Sequence, residues 1–117
     1  MGITYINGVV QGPSGKSVAV EFMVDSGAQY TVLPYEIWNK IDLQPKRRER
    51  FTLADGSHVE RNVSECHISL IQGEGHTPVI LGEPDDASLL GVITLKQFGL
   101  VFNPFDRTLH HARLLPM

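Results

Sequence analysis

The chain has 117 residues, 42% hydrophobic and 20% charged, with 11 Gly, 7 Pro and 1 Cys. That is the length of one ordinary domain spanning residues 1–117, able to bury a core without disulfides or a structural metal and too apolar to be disordered. Ten Lys plus Arg against thirteen Asp plus Glu leave a net charge of −3, which argues against nucleic acid as the partner, and no apolar run approaches the ~18 residues of a membrane span.

Residues 3–10 predict a strand, followed by a turn at Gly12-Pro13-Ser14-Gly15. Residues 17–24 predict a second strand, with Val18, Val20 and Phe22 on one face and Ala19 and Met23 on the other, so the two make a hairpin. Thr31-Val32-Leu33 is a short apolar strand. Pro34 then opens a short helix over residues 35–41, because its missing N–H would be unpaired in a first helical turn anyway. Ile37, Trp38 and Ile41 share one face of it, which places Trp38 in the core. The basic run Lys46-Arg47-Arg48-Glu49-Arg50 reads as a solvated connector.

Residues 51–54 and 57–63 flank Asp55-Gly56, a pair that between extended runs signals a hairpin turn with both turn residues at positive φ. Residues 65–71 and 77–81 are further strands, and Gly82-Glu83-Pro84-Asp85-Asp86 is a solvent-exposed turn. Residues 91–98 predict a second short helix with Ile93, Leu95 and Phe98 apolar. Residues 100–102 and 108–114 close the chain as a hairpin around Asn103-Pro104-Phe105-Asp106. Many short strands with only two short helices fit an all-β barrel or sandwich, not alternating βαβ units.

The densest chemistry lies between Phe22 and Pro34. An apolar strand delivers Asp25 into a Ser26-Gly27-Ala28 turn, and a second apolar strand follows at once. A carboxylate flanked by core on both sides is costly unless it is hydrogen-bonded or has a task. Gly27 lets the backbone approach closely and its N–H can point at the carboxylate, while the Ser26 hydroxyl adds a local donor. Taken alone, such a triplet is more often a plain turn in which Asp bonds its own downstream N–H groups.

Met23-Val24-Asp25-Ser26-Gly27-Ala28, running on to Leu33-Pro34, resembles the signature of the retropepsin-like aspartic proteases, the small single-domain kind found in retroviruses and bacteria. Their second signature, two apolar residues and a Gly leading into a helix, is matched by Leu89-Leu90-Gly91 before Val92-Ile93-Thr94-Leu95. Between them lies a hairpin with its tip at Ala54, Asp55, Gly56 and Ser57, where the family has its flap. The resemblance covers nearly the whole chain in the right order.

It implies an all-β, closed acid-protease-like barrel with one or two short helices, assembled as a homodimer. In that family each subunit supplies one aspartate of a two-aspartate site, and this chain has a single Asp-Ser-Gly. The implied activity is an aspartic endopeptidase with Asp25 and its symmetry mate as the dyad. By the same resemblance Ser26, where the family more often has Thr, braces the dyad, and Gly27 bonds substrate backbone. The Leu89-Leu90-Gly91 turn would pack behind the site and the termini would help form the dimer. The implied substrate is an extended peptide, with no cofactor, metal, nucleic acid or membrane partner. A rival reading is a catalytically inactive peptide-binding or scaffold module on the same fold.

Other signals point to structure. Adjacent residues His110 and His111 on a strand face opposite ways, and His58, His67 and His76 are scattered, so all five histidines read as surface or structural groups. Cys66 can form neither an internal disulfide nor a Cys-based zinc site and reads as a half-buried strand residue. The N-terminus lacks a basic segment leading into an apolar one, and Ile6 stands where a myristoylation signal needs Ser or Thr; a free-standing cytoplasmic protein is the expectation.

Overall fold

The computed structural model describes residues 3–25 and 27–112. Its elements in chain order are β1 (Tyr5–Gln11), β2 (Ser17–Val24), β3 (Thr31–Leu33), α1 (Tyr35–Lys40), β4 (Arg47–Thr52) and β5 (His58–Leu70). They are followed by β6 (Gly73–Leu81), β7 (Leu89–Leu90), α2 (Val92–Gln97), β8 (Leu100–Asn103) and β9 (Thr108–His111).

Period-two alternation builds the first hairpin. Val10, Val20 and Phe22 turn inward while Val9, Ala19 and Glu21 turn out, and β1 pairs antiparallel with β2 from Tyr5↔Met23 to Gln11↔Ser17. β2 then lies parallel to β7, β7 antiparallel to β3, and β3 parallel to β6. β6 pairs antiparallel with β5, and β5 pairs antiparallel with β1. The pairings therefore return to their starting strand, which removes the free edges that one open sheet would leave. β4 stands outside this ring, bonded among the described residues to β5 alone, and β8–β9 is a separate two-stranded hairpin.

The core is contributed by every part of the ring: Val10, Phe22, Leu33, Ile68, Val79 and Leu90 are each fully buried. Leu100 and Leu109 carry the β8–β9 hairpin onto the same core. The two short helices cover it, α1 against β2 and α2 against β3, β6 and β8.

Several expectations are corrected. The run at residues 46–50 is no connector: most of it is β4, in which Arg48 bonds Glu60 across the ladder at 3.1 Å and Arg47 pairs with Glu49 along the strand. The strands expected at 57–63 and 65–71 are one thirteen-residue strand, β5. The buried side changes parity inside it, from Val59, Arg61 and Val63 to Ser64, Cys66, Ile68 and Leu70, and that shift mimics a break. At the Asp55-Gly56 turn only Gly56 has positive φ (87°). The Gly56 N–H donates to Leu53 O and the Leu53 N–H to Ser57 O, so the turn is a longer loop closed by a left-handed glycine.

Trp38 is half-buried, and α1 has no fully buried residue; Ile41, just past its end, is the buried one. Gly82 is buried while Glu83, Pro84, Asp85 and Asp86 are exposed as expected. Cys66 is fully rather than half buried, at 1% exposure. The expected strand at 108–114 ends at His111, and the expected roles of Ser26 and of the chain termini (residues 1–2 and 113–117) fall outside the described residues.

Candidate active site

Asp25 sits where β2 ends beside β7, half-buried. Its backbone is held from two directions: its N–H donates to Leu90 O at 3.3 Å, and its carbonyl accepts the Ala28 N–H at 3.1 Å. The side chain is held by the turn it initiates, Oδ1 accepting the Gly27 N–H at 2.9 Å. This geometry is what an Asp-x-Gly turn provides, a carboxylate bonded two residues downstream. It leaves Oδ2 with no hydrogen bond among the described residues.

The turn is backed by the chain that follows β7. Leu90 and Gly91 are buried and Leu89 is half-buried. A Cβ at Gly91 would lie 2.4 Å from Tyr30 C and 2.5 Å from Tyr30 O, so only glycine lets the two segments cross. Beyond Gly91, the first two N–H groups of α2, from Val92 and Ile93, donate to Ala28 O and Gln29 O, each at 2.9 Å. The orphan donors of a helix start are thereby used to pin the loop carrying Asp25.

Three buried threonines complete that support, and sequence reasoning missed them. The Gly91 N–H donates to Thr31 Oγ1 at 3.0 Å; Thr31 Oγ1 lies 2.6 Å from Thr94 Oγ1, which lies 2.8 Å from Thr77 Oγ1. One self-consistent chain runs Gly91 N–H to Thr31, Thr31 to Thr94, Thr94 to Thr77 and Thr77 toward Pro78 O at 3.5 Å. Each hydroxyl then donates once and accepts once, as burial demands. The one available signal was the alternation of Thr31 with Leu33, which puts both on an inward face.

The hairpin tip stands apart. Ala54, Asp55, Gly56 and Ser57 are all exposed, and among the described residues their hydrogen bonds stay within the tip and its neighbour Leu53. Asp55 Oδ1 accepts the Ser57 hydroxyl at 2.5 Å and the Ser57 N–H at 2.9 Å, which holds the Asp55 carboxyl below the ordinary carboxylate range, the hydroxyl bond being the larger cause.

Beneath the arm formed by β4 and the first half of β5 lies a cavity of about 260 Å³. Val32, Ile80 and Leu89 line it from the ring strands, Phe51, Leu53 and Val59 from the arm, and Ala87 from the segment before β7. Arg61 and Asp86 stand at its rim. Arg61 reaches Glu83 at 3.7 Å, and Asp86 Oδ2 accepts the Glu83 N–H at 2.7 Å. Leu89 is the register partner of both Met23 and Val32, so the cavity shares a wall with the strand ends that present Asp25. A second cavity, of about 320 Å³, lies away from this turn, between the end of β1 and residues 64–67 of β5.

His58 starts the second strand of the arm, its Nδ1 3.1 Å from Thr52 Oγ1, and other histidines lie away from the cleft. His67 Nε2 faces Glu74 at 3.3 Å, and His110 Nε2 faces Asp106 at 3.4 Å. Among the described residues no group of three His, Cys, Asp or Glu is placed to hold a metal ion, and no helix is long and apolar enough to cross a membrane.

A family profile described as "gag-polyprotein putative aspartyl protease" matches residues 14–97, which takes in the Asp25 turn, the arm, the cavity-lining residues and all of α2. No curated protein sequence matches the chain. Among solved structures, the solution structure of simian foamy virus (mac) protease is similar with a TM-score of 0.57 at 16% identity, over 79% of this chain and 91% of that one. At that identity the likeness speaks for the fold alone.

Proposed function

The chain belongs to the gag-type, retropepsin-like aspartyl protease family, and from that premise we propose that it is an aspartic endopeptidase whose site forms when two copies bring their Asp25 side chains together. The observation that carries the reading is the Asp25 turn. One carboxylate oxygen is fixed by the Gly27 N–H, the other has no partner among the described residues, and the backbone on both sides is clamped by Leu90, Ala28 and the α2 start. A carboxylate so held is pre-positioned for proton transfer and needs only a second acidic group opposite.

The chain has a single Asp-Ser-Gly, so the second carboxylate comes from a two-fold related copy, an isologous arrangement. Two carboxylates a few ångströms apart cannot both ionise freely, and the pair holds one proton between them. The ionised member takes a proton from water as the water oxygen bonds to the scissile carbonyl carbon. The protonated member gives its proton to the carbonyl oxygen. Collapse of the tetrahedral adduct then breaks the C–N bond: the carboxyl that took the water's proton gives it to the leaving nitrogen, and the other, now ionised, takes a proton from a hydroxyl of the adduct, so the pair again holds one proton. Substrate lies as an added extended strand under the arm, which acts as a flap, with one apolar side chain in the 260 Å³ cavity.

The test is cleavage of a peptide library by the purified chain, with oligomeric state measured alongside. Wild type should cleave, with specific activity rising as protein concentration passes the dimer dissociation constant. Asp25→Asn should stay folded and lose activity by about a thousandfold or more. A folded chain that binds peptides without cutting them at any concentration would instead be a peptide-binding module.

A further inference from the structure

Tyr30 touches both halves of the cleft. Its backbone is pressed against Gly91, so closely that a Cβ there would overlap it. Its ring meets Phe51 of β4 edge-on, centroids 5.6 Å apart and planes at 85°. Its phenolic oxygen accepts a hydrogen bond from Arg47 Nη2 at 3.2 Å, and the Arg47 guanidinium carbon is 6.0 Å from the ring centroid. Arg47 is steadied from its other side by Glu49. Among the described residues β4 bonds to no strand but β5, so the arm has few backbone ties to the body. The other side of the arm is tethered through Arg61 and Glu83.

We propose that Tyr30 is a positioning residue, a latch that sets the height of the arm over the cleft by tying Phe51 and Arg47 to the turn that also holds Asp25. The proposal rests on the reading of that cleft as a protease site. Its logic is mechanical. The position of Tyr30 is dictated by Gly91, Gly91 is dictated by Thr31, and the α2 start behind Gly91 pins the loop of Asp25. The arm is thereby indexed to the same reference as the carboxylate. Both latch contacts are exposed or half-exposed and individually weak, so the latch favours one arm position without locking it, as a strand that must admit a peptide requires.

Amide hydrogen exchange on the full chain tests this without any substrate. In Tyr30→Ala the amides of residues 51–58 should exchange about tenfold faster while those of α2 and β6 keep their wild-type rates, the effect of losing one exposed hydrogen bond and one aromatic edge contact. Tyr30→Phe keeps the ring and loses the oxygen, and should fall between the two. Should Tyr30→Ala not fold, Phe51→Leu removes the same edge contact from the arm side and should loosen the arm alike. Arm rates within twofold of wild type, or equal acceleration of arm and α2, would overturn the latch.

With a cleaved peptide in hand, Tyr30→Phe should raise KM severalfold and leave kcat nearly unchanged. A fall in kcat at constant KM would place Tyr30 in the chemistry and sink a positioning role. If wild type cleaves nothing, the protease reading fails while the exchange result still decides the latch.

Discussion

Thr31 and Thr94 join hydroxyls at 2.6 Å in the interior, 63 positions apart in the chain. One belongs to the strand after the Asp25 turn and the other to α2, so the bond fastens the helix to the loop it supports. Thr94→Val keeps the shape of the side chain but leaves the Thr31 and Thr77 hydroxyls short of a partner. It should cost about 1–3 kcal/mol of unfolding free energy. Thr94→Ser retains the hydroxyl, loses only a methyl, and should cost less than the valine. Urea unfolding of the three proteins decides it; a valine variant as stable as wild type would show that the network contributes nothing.

Gly91→Ala puts a methyl 2.4 Å from Tyr30 C and 2.7 Å from Gln29 O, atoms of backbone that cannot rotate away. We expect a loss of about 3 kcal/mol or more, or failure to fold, since the only relief is to separate the α2 start from the Asp25 loop. Gly73→Ala is the control. Its Cβ would meet nothing nearer than 3.6 Å, so it should stay within about 1 kcal/mol of wild type. Thermal melts of both variants give the comparison, and similar melts would contradict it.

These two predictions mark what a sequence carries and what it hides. β2 and β3 were legible to the residue, because strict alternation and β-branched runs between turn residues leave few other arrangements. The Asp25 turn was legible because Asp-Ser-Gly between apolar strands is a local pattern. β4 was not: Arg-Arg-Glu-Arg reads as solvated, and it is a strand because its backbone pairs with β5 from Arg47↔Val63 to Thr52↔His58, a pairing that the charges themselves do not announce. β5 reads as two strands because its buried side changes parity at Val63 and Ser64 as it passes from the arm into the ring. The threonine network was invisible for a different reason. Each threonine alone is unremarkable, and their meeting depends on strand pairings and a helix docking that no local window contains.

Cys66 is 1% exposed, and burial, with a smaller contribution from the charge of Glu65, pushes its thiol up to about 12 from an ordinary 9.0. The neutral thiol is a poor nucleophile, so the folded protein should resist iodoacetamide near neutral pH and label only after unfolding. The linkage has a definite sign. Above pH 9 the unfolded chain gives up the thiol proton while the folded chain keeps it, so the unfolded state binds fewer protons and stability falls as pH rises from 9 toward 12. Cys66→Ala should flatten that part of the stability profile. An equally steep alkaline decline in the alanine variant would assign the effect to other groups.

The cavity under the arm predicts a preference. Val32, Ile80 and Leu89 of the ring and Phe51, Leu53 and Val59 of the arm give it an apolar lining, and about 260 Å³ accepts a leucine- or phenylalanine-sized side chain. Each buried methylene is worth about 0.8 kcal/mol, so lengthening that substrate residue from Ala toward Leu should raise kcat/KM by roughly fourfold per carbon. Ala87 is exposed at the side of the cavity, so Ala87→Trp should leave stability within about 0.5 kcal/mol of wild type. The indole would fill the space that a large substrate residue needs, raising KM for leucine or phenylalanine peptides by about tenfold while alanine peptides change little. An equal change across all peptides would place substrate side chains elsewhere, because only a pocket that receives the side chain can discriminate by its size.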